Sequence, residues 1–151
     1  MNYEVVELDE KVVAGIGART NNQSPDMTAV IGGLWQKFYG EGYYAELPYK
    51  KNLKAMGIYT DYATDHNGDY LAMVACEVKQ AESMPEGVMI RQYPAGKFAK
   101  FIVKGHMQTA ISEFWSQLWD MELDRTYIYD FEEYQDDHVE DTEIHIYIGI
   151  K

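Results

Sequence analysis

Glu132 and Tyr134 place a carboxylate two residues from a phenol in the stretch T-Y-I-Y-D-F-E-E-Y, from Thr126 to Tyr134. Aromatic and β-branched residues with polar ones between them predict a strand there. Strand side chains alternate faces. Tyr127, Tyr129 and Phe131 are expected on one face, facing a core, and Ile128, Asp130, Glu132 and Tyr134 on the other. The last strand, Glu143 to Ile150, alternates in the same way, with Ile144, Ile146, Ile148 and Ile150 on one side and His145 and Tyr147 on the other. If the isoleucines pack under a helix, His145 and Tyr147 point where Glu132 and Tyr134 point, and the shared face floors a pocket. The plainer alternative, Glu132 and His145 facing water, gives the same alternation. In an apolar cleft a carboxylate's anion is disfavoured and its pKa rises. A cationic ligand would restore its pairing, and aromatic faces would add cation–π attraction. A carboxyl poised near neutrality would equally serve as a general acid or base, with Tyr134 or Tyr147 donating a hydrogen bond.

Trp35 and Trp115 stand at similar places in two expected helices. Each belongs to an apolar face, with one edge able to reach the cleft, as does Phe114; Tyr59 is the candidate from the first half of the chain. Glu133 should face the helix side. The acids of residues 136–143 read as a solvated loop. His66, His106, His138 and His145 show no metal-ligand spacing, and neither a metal nor a cofactor is expected.

The chain has 151 residues, 46% of them hydrophobic, which sets the expectation of one folded domain over residues 1–151. Its net charge of −12 and the absence of a Lys/Arg run argue against nucleic-acid binding and favour cationic ligands. Thirteen tyrosines supply rigid apolar area with polar tips. The one cysteine, Cys76, cannot form an internal disulfide and fits a reducing compartment, as a small core residue. With no signal-like start and no apolar run near ~18 residues, a cytoplasmic protein free of the membrane is expected.

The elements that must position these residues come in two cycles. Strands are expected at Tyr3 to Glu7 and Val12 to Arg19, then a helix from about Pro25 or Asp26 to Tyr39 capped by Ser24. An irregular connection follows, then strands at Lys54 to Tyr62 and Tyr70 to Lys79 around an Asn67-Gly68 turn. The second cycle has strands at Val88 to Tyr93 and Lys97 to Lys104, a helix over about Met107 to Asp120, and the two strands already described. Gly15 and Gly17 lack the third glycine of a dinucleotide loop and read instead as close backbone packing in a strand. The order strand-turn-strand-helix-strand-strand, twice, predicts an α+β fold. Its two repeats, about 1–80 and 87–151, are related by a pseudo-twofold axis, with antiparallel sheets and a central ligand cleft at the seam.

Several segments, in order, carry a resemblance to a known family. They are Met56-Gly57-Ile58-Tyr59, Gly68-Asp69-Tyr70, Pro85-Glu86-Gly87, Tyr93-Pro94-Ala95-Gly96-Lys97-Phe98-Ala99, Val103-Lys104-Gly105, Phe131-Glu132-x-Tyr134 and Ile144 to Ile150. Together they resemble the GyrI-like effector-binding family, the ligand domain of AraC-type and MerR-type multidrug regulators, here as a standalone member. The final strand departs from the family, with Gly149-Ile150 where proline-isoleucine is usual. The resemblance implies capture of amphipathic, often cationic or aromatic molecules in a central cleft, with Glu132 at its base and Tyr147 as the tyrosine of the final strand. Two alternatives come with it. One is a hydrolase that opens cyclopropane-type toxins with Glu132 and Tyr147. The other is an inhibitor of a macromolecular partner such as a topoisomerase. The ligand's identity and the oligomeric state are left open.

Overall fold

The computed structural model describes all residues, Met1–Lys151. The elements follow the expected order: β1 (Glu4–Leu8), β2 (Lys11–Thr20), α1 (Met27–Gly40), α2 (Tyr43–Glu46), β3 (Met56–Thr60), β4 (Tyr70–Val78), β5 (Met89–Tyr93), β6 (Gly96–Gly105), α3 (Met107–Trp119), β7 (Arg125–Tyr134) and β8 (Thr142–Ile150). The short α2 lies in the stretch expected to be irregular. Helix α1 starts at Met27, with Asp26 at its N-cap, against the expected start at Pro25 or Asp26, and the Ser24 hydroxyl accepts from the backbone N–H of Asp26 in the turn before it.

All eight strands form one antiparallel sheet in the order β1-β6-β8-β7-β3-β4-β2-β5. Replacing each first-half strand by its second-half counterpart reverses this order onto itself. The registers obey the same operation. Leu8 pairs with Gly96, and their counterparts Tyr93 and Lys11 pair with each other. Ile16 pairs with Val74 as Phe101 pairs with Ile146. Val74 then pairs with Gly57 as Ile146 pairs with Glu132. Gly57 and Glu132 are therefore counterparts, and they are also direct partners across β3 and β7. The pseudo-twofold axis passes through that pair.

Each half lends its first strand to the other: β1 lies on β6, and β5 on β2. Only Asp9 and Glu10 join β1 at one edge of the sheet to β2 beside the other edge. Two residues span only about 3.3–3.6 Å each, so the sheet must curl until its edges approach. Tyr93 of the edge strand β5 accordingly stacks on Tyr129 of β7, with ring centroids 3.7 Å apart. The inner face of the curl is a core of its own, built from Val13, Met56, Ile58, Leu71, Met73, Tyr93, Phe98, Tyr129, Phe131 and Tyr147, with no helix covering it.

The outer face carries the two long helices, α1 and α3. Leu34 and Phe38 of α1 bury against Ala14, Ile16, Val74 and Cys76, while Phe114 and Leu118 of α3 bury against Ala99, Phe101, Ile144, Ile146 and Ile148. Gly15 has the close packing expected of it: an added Cβ would fall 2.0 Å from the Val74 carbonyl oxygen. Cys76 is a buried core residue, and burial pushes its thiol up to about 11.

Candidate functional site

Register decides which face each candidate joins. Residues directly opposite on neighbouring strands point the same way. Glu132 is opposite Ile146 and Gly57, so it points to the helix-covered side, into the seam between α1 and α3. Its partner Gly57 leaves the space its carboxyl needs, since a Cβ there would lie 2.9 Å from Glu132 Oε1. The side chain is 2% exposed.

Three neutral donors converge on the carboxylate. The Tyr59 hydroxyl of β3 donates to Oε2 at 2.9 Å, the Trp115 indole N–H of α3 to Oε2 at 2.8 Å, and the Tyr134 hydroxyl to Oε1 at 2.9 Å. Trp35 of α1 completes the box without donating to it, its ring edge-on to Tyr134 at 4.9 Å. Trp115 meets Tyr59 in the same manner at 5.2 Å. Glu132 takes part in no ion pair. Burial raises its pKa, partly opposed by the hydrogen bonds from Trp115, Tyr59 and Tyr134. Burial, with the adjacent Glu132 charge, pushes the Tyr59 and Tyr134 hydroxyls well up, so they remain donors. Chemically this is a carboxyl group met by neutral hydrogen-bond donors alone, inside an aromatic box.

Of the residues expected from sequence, Glu132, Tyr134, Tyr59, Trp115 and Trp35 come together here. Phe114 is core, packed on Phe101 and beside Trp115. His145 and Tyr147 are not in the box, which corrects their expected placement. Tyr147 is opposite Phe131 and stacks on it at 4.6 Å on the inner face of the curl. His145 is opposite Glu133, beside Glu143 at 2.7 Å. The reason is physical. The helices and the carboxylate share one face of the sheet, whereas the sequence reading set them on opposite faces. Glu133 likewise faces away from the helices, 3.7 Å from Lys54. Tyr127 leaves the row of Tyr129 and Phe131 because its φ of 56° and a register irregularity between Arg125 and Asp130 break the alternation. It bonds His66 at 3.0 Å and packs on Tyr62.

Sequence reasoning missed Gly57 as the carboxylate's partner and Trp115 as a hydrogen-bond donor. It also missed a second buried acid. Asp130 accepts from Arg125 at 2.6 Å, the Tyr62 hydroxyl at 2.5 Å and the Gly149 N–H at 2.9 Å. Away from the box, at the C-terminal end of α3, a surface recess of about 500 Å³ is lined by residues including Leu118, Trp119, Leu123 and Arg125.

This α+β architecture, an antiparallel sheet with its long helices on one face, is that of the GyrI-like effector-binding fold. The model of the integron-associated effector-binding proteins, Cass2, matches residues 4–150, and the chain belongs to that family. Among solved structures it is similar to an integron cassette protein of Vibrio cholerae, with 26% identity over 99% of this chain and 95% of that one, at a TM-score of 0.81. The protein SAV2435, bound to tetraphenylphosphonium, shares the fold at 19% identity over 100% of this chain and 94% of that one, TM-score 0.83. A protein of Staphylococcus aureus MU50 does so at 20% identity over 100% of this chain and 99% of that one, TM-score 0.80. No curated protein sequence matches the chain significantly. No helix is long and apolar enough to cross a membrane.

Proposed function

We propose that the protein binds aromatic, lipophilic monocations at Glu132, inside the box of Tyr59, Tyr134, Trp35 and Trp115. One observation carries this reading: a buried carboxylate surrounded by three neutral donors and no cation. Desolvating a charge is costly unless it is paired, and hydrogen bonds meet only part of that cost here, since the pKa stays raised. A bound cation supplies the missing charge. The four rings offer apolar area and π-faces, which prefer a weakly hydrated, delocalised cation over a compact ammonium.

Membership of an effector-binding family supports small-molecule capture. The fold-mate SAV2435 carries a cation of this chemistry, tetraphenylphosphonium. A hydrolytic role would use the same carboxyl as acid or base, but three converging donors hold it as a fixed acceptor, which favours ion recognition over proton transfer. Calorimetric titration with tetraphenylphosphonium tests the reading on the wild type and on Glu132→Gln. Binding by the wild type with a loss of about 10–100-fold in the variant is expected, the range for a hydrogen-bonded or charge-assisted contact. Equal affinity for the two proteins would overturn it.

A further inference from the structure

We infer that this site selects cations by symmetry: the matched ligand carries one positive charge midway between two like aromatic arms. The inference rests on the proposed cation binding and names its ligand class. It comes from the position of the acid on the pseudo-twofold axis.

Glu132 and Gly57 are each other's counterparts and each other's strand partners, so the axis runs between them. Counting two residues along each strand, Tyr59 corresponds to Tyr134, and the helices place Trp35 opposite Trp115. The geometry follows the same operation. One tyrosine donates to Oε2 and the other to Oε1, both at 2.9 Å. Each tryptophan meets the tyrosine of the other half edge-on, at 4.9 Å and 75° on one side and 5.2 Å and 76° on the other. The carboxyl leans over Gly57 onto the axis, into space that a Cβ there would crowd at 2.9 Å. Among the hydrogen bonds on the carboxylate, only that from Trp115 lacks a twin; of the two tyrosines, Tyr59 alone meets a further ring, Tyr70 at 5.8 Å.

Two like aromatic walls therefore flank a single negative charge. A cation centred on the axis offers one ring to each wall and its charge to the carboxylate. A cation charged at one end cannot do both, because placing its charge on the axis sends both rings into one wall. A dication finds one carboxylate where it needs two.

Two isomers isolate this property: dibenzyldimethylammonium and (biphenyl-4-ylmethyl)trimethylammonium. They have the same atoms, charge and number of phenyl rings, and only in the first does nitrogen lie between the rings. Calorimetry on the full chain should give at least tenfold tighter binding of the first. The exchange variant Gly57→Glu with Glu132→Gly moves the acid across the axis. It should recover most of the affinity for the first isomer that Glu132→Gly alone loses, with folding checked by circular dichroism. Affinities for the two isomers within twofold, or tighter binding of the end-charged one, would overturn the inference even if the exchange variant failed to fold. Tetraphenylphosphonium separates the two levels. If it binds and neither isomer does, the symmetry inference fails alone; if no cation binds, the proposed function fails and takes the inference with it.

Discussion

Asp130 and Glu132 stand two residues apart on β7, and both are buried. Both accept a tyrosine hydroxyl. Their difference lies in the remaining partners. Asp130 has the Arg125 guanidinium at 2.6 Å, itself sunk to 8% exposure, and a backbone N–H. Glu132 has an indole N–H and a second phenol, and no positive charge. The first acid is neutralised by the chain itself and serves to fix β7 against β8. The second remains short of one charge, and that deficit marks a ligand's place. Burial of a carboxylate thus says little about function until the source of its counter-charge is known.

The sharpest way to break this contrast is to remove the internal cation. Arg125→Met leaves Asp130 buried without its partner and should cost about 3–5 kcal/mol in urea unfolding. A loss below about 1 kcal/mol would mean that Asp130 does not depend on Arg125, and the comparison would lose one side.

Glu132→Gln should behave in the opposite sense at neutral pH, with stability held or increased, because it removes a charge the fold does not neutralise. The pH dependence has a definite sign. Glu132 has a raised pKa in the fold, so the native state holds a proton that the unfolded chain has already released. Wild-type stability relative to Glu132→Gln should therefore fall as pH rises from the ordinary carboxylate range through the raised pKa, and level off above it. Parallel denaturation series for the two proteins would show this, and a flat difference across pH 4–8 would contradict it. Since a cation binds the anion, its affinity should climb over the same window.

Smaller effects sharpen the picture. Tyr59→Phe and Tyr134→Phe each remove one donor from the carboxylate and should each cost about 1–2 kcal/mol at neutral pH. Their losses should match, as the pseudo-twofold requires; losses differing by more than about 1 kcal/mol would show that the two donors are not equivalent. Smallest of all, Tyr147→Phe should change cation affinity less than twofold and stability by about 0.5 kcal/mol or less, the range for a substitution outside the named interactions. A clear loss of cation binding would put the site on the inner face instead.

Much of this was legible in the sequence. The two cycles, the helix positions and the strand segments follow from periodicity and turn residues. Glu132, Tyr134, Tyr59 and both tryptophans could be named as candidates. The side of the sheet on which β8 meets β7 was not legible. Alternation gives the parity of a strand, that His145 goes with Tyr147, but only register says which parity of the next strand it joins. The exception at Tyr127 depends on a positive φ that no local pattern announces. Asp130 and Arg125 were hidden for a related reason: five residues apart on one strand, they meet because an irregularity intervenes. Trp115 looked like core because its helix face is apolar, and its N–H finds Glu132 only once α3 is docked.

The exchanged first strands have a mechanical consequence. With β1 and β5 stitched into opposite halves, neither repeat can detach while the other stays intact. A guest molecule must then be admitted by movement of side chains or a helix over an unbroken sheet, and heating should melt the chain in a single cooperative step.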